Sequence, residues 1–502
     1  MPASPPPPHA TAEAAVGLRA DLSDAGFTVD GVTDLLGPLA NAALGRDQRL
    51  PAELATREDG SPLATLVRLF TLGVVVPHAD VCGALPRCGA GGLAVMALTE
   101  VCGHGVRSTC DLRPYGDEER TWWVASDLSE MTTGAPLAPD HVLGVGGASL
   151  TLAGWTPCPE VDRALDLGTG SGVQALHLSR HARTVVATDL SPRALAFAAF
   201  TAALNGVDLD LRAGSLFDPV ASQRFPLIVS NPPFVISPRA PGLERYTYRD
   251  GGLTGDALVE RIVRAVSEHL EPGGIAQLLA NWEVPVGSTW RDRLGAWLEG
   301  TGLDAWVVQR EAQDPAQYAE LWVRDAGYLP GTPGFESRYA AWLADFAGRS
   351  VEWVGFGVVT LQRPATRRRA WVDLVEHSGP VAAPMGPTVL AGVRARTWLA
   401  EHGDDGVLGT VWRVAPDVTE ERHHRPGADD PSRIVLRQGG GLGLAIPVGT
   451  AVAACVGVCD GSLTAGQALD AIASLLHRDA SEVRTEALPL LRDLVADGLL
   501  RR

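Results

Sequence analysis

Short apolar runs alternate with helical patterns in the middle of the chain. Three of these runs have the length of buried strands: 164–167, 184–188 and 225–230. A stretch with apolar residues at helical spacing, 173–178, separates the first run from the second. Strands that alternate with helices predict a parallel sheet with crossover connections, so this part of the chain is expected to form an α/β unit.

The first apolar run leads into a turn with three alternating glycines, Gly168, Gly170 and Gly172. Glycine at a strand-to-helix turn lets a ligand approach the backbone closely, although the same turn is also compatible with a plain tight connection. The second run ends at Asp189, where a carboxylate is placed to accept hydrogen bonds from ribose hydroxyls. The spacing is G-x-G-x-G rather than the G-x-G-x-x-G of dinucleotide folds, so a nucleotide-like ligand is predicted and a pyrophosphate is the less favoured kind.

The third run ends in Asn231-Pro232-Pro233-Phe234, called the tetrapeptide below. Proline donates no ladder hydrogen bond, so the strand must stop there with its last carbonyl groups free. The glycine turn, the acidic strand end and the tetrapeptide, in this order, resemble the class I S-adenosylmethionine-dependent methyltransferases of the Asn-Pro-Pro-aromatic group. That group includes HemK-like release-factor glutamine methyltransferases and adenine- and guanine-amine methyltransferases of DNA and RNA. The resemblance covers roughly residues 140–362.

The resemblance implies S-adenosylmethionine as cofactor and a Rossmann-like sheet of seven strands. Asn231 and the carbonyl of Pro232 would accept hydrogen bonds from a planar NH2 group, and Phe234 would stack on it. Two acceptors and a ring would hold a weakly nucleophilic nitrogen in line with the methyl group, without a metal. The implied catalytic residues are Asn231, Pro232, Pro233 and Phe234. The implied cofactor-binding residues are Asp166, Gly168, Thr169, Gly170, Gly172, Asp189, Leu190, Ser215, Leu216 and Asn231.

Two further features bear on the ligands. Ser215 stands where the family usually carries an acidic residue that meets the adenine amine, so its hydroxyl or Asp218 is expected to take that role, unless Asp218-Pro219 is only a turn. The segment 246–256, with Asp250-Gly251-Gly252, resembles a loop of the release-factor glutamine methyltransferases. It is expected to border the substrate, with a glycine-rich helix start as the alternative.

The composition limits the possible classes of function and indicates the cellular compartment. The 502 residues carry a formal charge of −17, which argues against non-specific binding to a polyanion. All 42 basic residues are arginine, which excludes a Schiff-base lysine and a Walker-type phosphate loop. Seven cysteines without a signal peptide indicate reduced thiols in the cytoplasm, and no apolar run reaches transmembrane length. Cysteines and histidines crowd residues 78–110, but they include no C-x-x-C pair, so no metal site is predicted.

The flanking segments predict further domains. In chain order, the prediction is a proline-rich disordered tail (1–9) and a helical, winged-helix-like domain (10–130) with a hairpin of strands 106–112 and 121–126. The methyltransferase domain (131–362) follows, then a linker (363–400) and a small helical domain resembling a helix-turn-helix (401–502). Arg363 and the arginines 367–369 of the linker are expected to be solvated, with a local basic face as the alternative.

Other stretches of the central domain carry more specific expectations. Residues 144–152 are expected to close over the methionine end of the cofactor, and 281–283 to face the site from the fifth strand. The aromatic residues of 310–350 are expected to form a core rather than a base-stacking platform: Tyr318, Trp322, Tyr339 and Trp342.

Several kinds of molecule are candidates for the substrate that accepts the methyl group. A protein glutamine amide is favoured by the Asp250-Gly251-Gly252 loop and the acidic charge. A purine amine in RNA or DNA is favoured by the flanking helix-turn-helix-like modules, and a small molecule comes third. A regulator that binds the cofactor without methyl transfer is disfavoured, because it has no need of the tetrapeptide. The expected partner is therefore a glutamine-bearing protein or a structured RNA or DNA, with no membrane; the oligomeric state stays open.

Overall fold

The structure is a computed structural model that describes residues 4–116, 120–134, 137–239 and 249–502. Clusters of buried apolar side chains divide the chain into three units that pack on one another. The central unit is built on a sheet of eight strands, and the other two units carry smaller sheets.

The N-terminal unit is mostly helical. Its helices are α1 (Ala12–Asp24), α2 (Val29–Leu44), α3 (Leu50–Thr56), α4 (Pro62–Leu66), which continues as a π-helical turn (Val67–Thr71), α5 (His78–Ala84), α6 (Gly89–Val95) and α7 (Glu130–Thr133). Its strands are β1 (Val76–Pro77), β2 (Thr99–Cys102) and β3 (Gly105–Ser108) in one sheet, and β4 (Asp111–Gly116) and β5 (Thr121–Ser126) in another.

The predicted hairpin differs in its first strand. The span 106–112 divides between β3, which pairs with β1 and β2, and β4, which pairs with β5. The chain turns at Thr109, whose backbone N–H donates to the carbonyl of Leu98 at 3.0 Å. Residues 117–119 of the hairpin turn lie outside the described residues, and the winged-helix-like character of the unit stays a prediction.

The N-terminal segment contacts the folded units, whereas its proline content predicts disorder. Arg193 donates to the carbonyl of Pro5 at 2.6 Å, and the N–H of His9 donates to the carbonyl of Met96 at 3.1 Å. Prolines lack N–H donors but keep their carbonyl acceptors, so neighbouring donors can hold such a segment. Residues 1–3 lie outside the described residues.

The central unit consists of helices and a large sheet. Its helices are α8 (Gly147–Trp155), α9 (Val173–Leu178), α10 (Pro192–Asn205), α11 (Ala257–His269), α12 (Trp290–Leu298), α13 (Pro315–Asp325) and α14 (Pro333–Gly348). Its strands are β6 (Val161–Leu167), β7 (Ala182–Asp189), β8 (Leu209–Ala213), β9 (Phe225–Ser230), β10 (Leu270–Pro285), β11 (Asp304–Gln313), β12 (Val351–Gln362) and β13 (Val372–Glu376).

The large sheet has the order β13-β11-β12-β10-β9-β6-β7-β8. The five strands from β10 to β8 are parallel, and β12 runs antiparallel between β10 and β11. Side chains of α11 and α12 are buried on one face, and side chains of α8 are buried on the other. This topology confirms the predicted Rossmann-like fold, because helices cover both faces of a mostly parallel sheet.

The prediction of seven strands is wrong, because β13 adds an eighth beside β11, within the span 363–400 predicted as a linker. Asp304 at the start of β11 binds the chain between β12 and β13. Its buried carboxylate accepts from the guanidinium of Arg368 at 2.7 Å and from the N–H of Trp371 at 3.0 Å. Arg368 belongs to the cluster predicted to be solvated. The buried carboxylate needs a cationic partner, since an unpaired buried charge is costly.

The C-terminal unit contains helices and two three-stranded sheets. Its helices are α15 (Gly386–Gly409), α16 (Thr450–Gly457), α17 (Ala465–Leu475) and α18 (Ala480–Ala496). Its strands are β14 (Val411–Val414), β15 (Val418–His423), β16 (Arg433–Gln438), β17 (Ala445–Val448), β18 (Asp460–Thr464) and β19 (Leu500–Arg501), in the orders β18-β14-β19 and β15-β16-β17.

The C-terminal unit differs from the predicted helical domain by its two sheets and by its start. Thr464 and Gln467 cap α17 reciprocally, as their spacing predicts. Helix α15, however, begins inside the span predicted as a linker. Met385 and Val389 at its start pack in the same buried cluster as Trp306 of the central sheet, and this apolar contact holds the two units together.

Candidate functional site

The carboxyl ends of three neighbouring parallel strands bring the predicted motifs together. Leu167 at the end of β6 pairs with Ser230 at the end of β9 on one side and with Thr188 of β7 on the other. The hydroxyl of Ser230 also donates to the carbonyl of Leu167 at 2.8 Å. The glycine turn that follows β6 therefore lies between Asp189 and the tetrapeptide, at the edge where ligands bind in such sheets.

The three glycines of the turn have different surroundings. All three adopt positive φ angles: +78° at Gly168, +56° at Gly170 and +92° at Gly172. A Cβ atom added at either of the first two would meet no atom of the described residues within 4 Å. A Cβ at Gly172 would lie 3.4 Å from the Cα of Ala198 in α10. The first two glycines thus leave open space beside the backbone, and the third permits close helix packing.

Asp189 is bound to the backbone on both carboxylate oxygens. Its Oδ2 accepts from the N–H of Gly170 at 2.9 Å, and its Oδ1 accepts from the N–H of Ser191 at 2.8 Å. Burial raises the pKa of Asp189, and these backbone hydrogen bonds counteract the rise. The next residue, Leu190, is 71% exposed, so an apolar side chain stands free beside the carboxylate. This combination fits a ribose next to the face of an aromatic base.

Asp166 is buried beneath the turn and is only partly satisfied. Its Oδ2 accepts from the hydroxyl of Thr169 at 2.7 Å, whereas its Oδ1 has no hydrogen-bond partner among the described residues. Burial raises the pKa of Asp166 to about 7; the hydroxyl of Thr169 counteracts the rise, the charge of Asp189 adds to it, and the nearby backbone N–H of Ala175 counteracts it weakly. A buried carboxylate oxygen without a partner is costly and fits a cationic ligand group at this point.

Gln174 offers a second buried acceptor in α9. Its Nε2 donates to the carbonyl of Ser149 in α8 at 2.9 Å, and its Oε1 has no partner among the described residues. The segment 144–152, predicted to close over the methionine end of the cofactor, is thus tied to the helix that follows the glycine turn. The open turn, the two unpartnered acceptors and the exposed Leu190 fit S-adenosylmethionine, which carries an ammonium, a ribose and an adenine.

Ser215 and Leu216 follow β8 at the same edge. The N–H of Gly214 donates to the carbonyl of Asp189 at 3.0 Å, which brings this turn beside β7. Leu216 adopts a positive φ of +48°, and Asp218 is exposed at the start of a 3-10 turn, with its N–H bonded to the carbonyl of Ser215. The turn that Asp218-Pro219 was also expected to form is therefore present. The residue that meets the adenine stays a prediction.

The tetrapeptide ends β9 with a buried acceptor. The Oδ1 of Asn231 is buried and has no hydrogen-bond partner among the described residues. The ring of Phe234 lies 5.7 Å from the ring of Phe356 in β12, centroid to centroid. Directly after it, the N–H of Val235 donates to the carbonyl of Arg249 at 3.0 Å, and Phe234 itself forms a bridge with Asp250. The position of Phe234 is thus fixed by a contact of its ring and by backbone pairing at and directly after the residue.

The loop predicted to border the substrate begins at these contacts. Asp250 forms an ion pair with Arg239 at 2.7 Å and accepts from the N–H of Gly252 at 2.9 Å. Its carboxylate therefore fixes the loop locally. Residues 246–248 of the predicted loop lie outside the described residues, and its contact with substrate stays a prediction.

The polar residues of β10 have protein partners that sequence spacing does not reveal. Glu283, expected to face the site, pairs with Arg349 at 2.6 Å, and its N–H donates to the Oδ2 of Asp256 at 2.8 Å. Asn281 is buried and donates through Nδ2 to the hydroxyl of Tyr318 at 2.6 Å. Because these partners lie 27 to 66 residues away along the chain, only the fold brings them together.

Two general features of the described residues complete the picture. In the ranges given above, no group of three or more histidine, cysteine, aspartate or glutamate side chains is placed to hold a metal ion. In the crowded segment 78–110, Cys82 contacts His78 at 3.6 Å. Across the same described ranges, no helix is both long enough and apolar enough to cross a membrane.

Comparison with protein families assigns the central unit to a known kind of domain. Residues 147–299 match the family described as methyltransferase small domain. The flanking residues 24–109 and 391–502 match two families described as domains of unknown function. The match to the central unit confirms the predicted resemblance to methyltransferases and S-adenosylmethionine as the cofactor of this domain.

Curated relatives match about a quarter of this chain. The release factor glutamine methyltransferase of Geobacter sulfurreducens is 40% identical over 126 residues, which are 23% of this chain and 44% of that protein. The ribosomal protein uL3 glutamine methyltransferase of Bradyrhizobium diazoefficiens is 38% identical over 23% of this chain and 39% of its own. The ribosomal RNA small subunit methyltransferase C of Salmonella arizonae is 33% identical over 28% and 36%. The chain thus spans less than half the length of these relatives.

Proposed function

We propose that this chain is an S-adenosylmethionine-dependent N-methyltransferase that acts on a planar NH2 group, the side-chain amide of a protein glutamine. One observation carries the proposal: the Oδ1 of Asn231 is buried without a partner at the end of β9, beside the glycine turn. A buried acceptor left unpaired costs about 1–3 kcal/mol, which an N–H donor of the substrate would remove.

When bound, the cofactor would supply a methyl group on a positively charged sulfur. Transfer to the amide nitrogen would form the N–CH3 bond, break the S–CH3 bond to leave a neutral thioether, and release one proton of the NH2 group to solvent. The chain would hold the cofactor through the open side of Gly168 and Gly170, with Asp189 toward the ribose and Leu190 toward the adenine. Asp166 Oδ1 and Gln174 Oε1 are the unpartnered acceptors for its ammonium group. Asp166 and Gln174 would act through oxygens that have no hydrogen-bond partner among the described residues. Asp189 would act through the acceptor capacity that its oxygens keep beside their backbone hydrogen bonds.

The acceptor nitrogen needs orientation more than activation by a base. An amide nitrogen is a weak nucleophile because its lone pair is delocalised, so the rate depends on holding it in line with the methyl group. Asn231 Oδ1 and the carbonyl of Pro232 would accept its two N–H bonds, and the ring of Phe234 would hold the plane. The nearby carboxylate of Glu283 is already paired with Arg349, so it has no role as a base in this proposal.

A glutamine amide is favoured over a purine amine by charge and by similarity. Two of the relatives described above are named glutamine methyltransferases. The net charge of −17 opposes approach to a nucleic acid backbone. The rRNA methyltransferase C relative keeps the guanine amine as the competing acceptor, because the same two oxygens would bind either planar group.

The test is to identify the labelled product. The protein is incubated with S-adenosylmethionine labelled in its methyl group and with a bacterial lysate, which is then divided between protease and nuclease. We expect protease to release the label, and acid hydrolysis of the labelled protein to yield labelled methylamine, because hydrolysis of an N-methylated glutamine amide frees its amine. Label that nuclease releases, in a methylated purine, would replace the glutamine proposal by the purine one.

A further inference from the structure

Helices α13 and α14 leave the large sheet at the site edge. Strand β12 pairs antiparallel with β10, with Phe356 opposite Asn281 and Val351 opposite Pro285. The start of β12 therefore lies at the carboxyl end of β10. The end of β11 lies beside it, since Gln313 pairs with Val354. The helical connection between β11 and β12 thus emerges next to the tetrapeptide rather than at the opposite edge.

This helix pair forms an aromatic core that includes the backbone after the tetrapeptide. Val235 and Ile236 are buried in one cluster with side chains of α13, α14 and β12. In that cluster, the ring of Tyr318 lies 6.0 Å from the ring of Trp342 and 5.9 Å from that of Phe346. The expectation that Tyr318 and Trp342 belong to a core is confirmed by their burial.

Tyr318 also contributes a polar contact inside this core. Its hydroxyl accepts from the N–H of Ile236 at 3.1 Å and from the Nδ2 of Asn281 at 2.6 Å. Ile236 is two residues beyond Phe234. Burial raises the pKa of the Tyr318 phenol far above its ordinary value, so the hydroxyl stays neutral in any working buffer. One buried hydroxyl therefore joins α13, β10 and the chain that follows the tetrapeptide.

The same helix pair also holds the returning chain. Arg249 forms an ion pair with Asp325 of α13 at 3.1 Å. Its carbonyl accepts from the N–H of Val235 at 3.0 Å, so Arg249 lies beside the backbone that follows the tetrapeptide. The two chain segments that flank Phe234 are therefore fastened to one structural element.

We infer that Tyr318 is a positioning residue for the acceptor, an inference that rests on the proposed function. The hydroxyl fixes the backbone at Ile236, and that backbone fixes the angle at which Phe234 and Asn231 meet the planar group. Without the hydroxyl, the N–H of Ile236 would be buried and unsatisfied, so the segment would shift to find another partner. Small displacements of positioning groups lower rates strongly, about 10²-fold for 1 Å.

The test compares two identical substitutions in the helix pair. Tyr318→Phe removes the positioning hydroxyl and keeps the ring. Tyr339→Phe is the matched control, because this half-buried tyrosine of α14 stacks on Phe335 at 5.4 Å and its hydroxyl has no hydrogen bond to residues 235–239 among the described residues. Kinetics with the identified acceptor, cofactor affinity by calorimetry, and deuterium exchange at the Ile236 amide are measured on both.

We expect Tyr318→Phe to lower kcat about tenfold or more, to leave cofactor affinity within twofold, and to speed exchange at Ile236. Tyr339→Phe should change none of these. An unchanged kcat in Tyr318→Phe, or an equal loss in both variants, would overturn the inference.

A parallel loss of cofactor affinity would likewise overturn it, since the role would then be structural. If the wild type transfers no methyl group to any NH2 acceptor, the proposed function fails by itself. Exchange at Ile236 then decides only whether Tyr318 holds the backbone after the tetrapeptide: faster exchange only in Tyr318→Phe supports that hydrogen bond, and unchanged exchange refutes it.

Discussion

The backbone N–H of Gly170 donates a 2.9 Å hydrogen bond to the Oδ2 of Asp189. The carboxylate at the end of β7, predicted to bind the ribose, therefore also supports the glycine turn after β6. A carboxylate has about four acceptor directions, so both oxygens keep capacity for ribose hydroxyls after their backbone bonds to Gly170 and Ser191. One side chain thus links the shape of the turn to the binding of a ligand.

Replacing Asp189 by alanine should weaken S-adenosylmethionine binding by roughly 1.5–3 kcal/mol, the scale of a hydrogen bond to a charged group. Calorimetry measures the change. Asp162→Ala is the control, since Asp162 is exposed in a pair with Arg183 at the surface. Affinity that stays the same in Asp189→Ala would remove Asp189 from the cofactor site. NADH should not bind to the wild type.

Alanine substitutions at two glycines of the turn should differ in their effects on the stability of the protein and on its affinity for the cofactor. In Gly172→Ala, the new Cβ would be in van der Waals contact with Ala198 at 3.4 Å, and the φ of +92° would strain the alanine, so the melting temperature should fall. In Gly170→Ala, the new methyl group would point into open space, so the cofactor should bind more weakly with a smaller loss of stability. Thermal unfolding and calorimetry on both variants check this, and the opposite ranking would show that Gly170 does not border the ligand.

Local patterns are enough to predict a candidate site at strand ends. Apolar runs and glycine spacing indicate where β6, β7 and β9 stop, and parallel strands bring those ends together without further information. The unpartnered oxygens of Asp166 and Asn231 lie at positions that such reasoning names. The number of strands was not predictable in this way, because β13 depends on the buried pair of Asp304 and Arg368, which are 64 residues apart.

Contacts between distant segments are what the sequence does not reveal. Tyr318 lies 82 residues from Ile236, and its aromatic character indicates a core without indicating its hydrogen-bond partners. The prediction lacks the sheets of the C-terminal unit for a related reason. Their strands are only two to six residues long, and the capped helices α17 and α18 give a stronger signal.

The buried Asp166 should make stability depend on pH. Its pKa is about 7 in the folded chain against an ordinary value of 3.8, so the folded state binds its proton more tightly than the unfolded state. This contribution to the free energy of unfolding is present below pH 3.8 and is lost as pH rises toward 7. Asp166→Asn removes the titration. The melting temperature of the variant relative to wild type should therefore rise with pH across this window and then level off, and parallel curves would contradict the raised pKa.

The last prediction concerns Asn231, whose buried Oδ1 is assigned to the acceptor nitrogen and not to the cofactor. The methyl group must sit between the sulfur and an amine held at the end of β9. Asn231→Ala should therefore leave cofactor affinity within a few-fold and lower methyl transfer by about 10²-fold or more, because a positioning contact to the reacting centre is lost. Phe234→Ala should act in the same direction by removing the stacking surface.

Asn205→Ala is the matched control for that prediction, because it removes a half-buried amide whose oxygen already accepts from the N–H of Trp123 at 2.9 Å. This variant should lose melting temperature and keep the single-turnover rate of the folded protein, since Asn205 lies at the contact between α10 and β5. If Asn231 were only a turn residue, its loss would lower cofactor affinity and melting temperature together. A normal single-turnover rate in a well-folded Asn231→Ala would refute the N-methyltransferase proposal itself, because the proposal gives the Oδ1 of Asn231 one of the two N–H bonds of the acceptor amide.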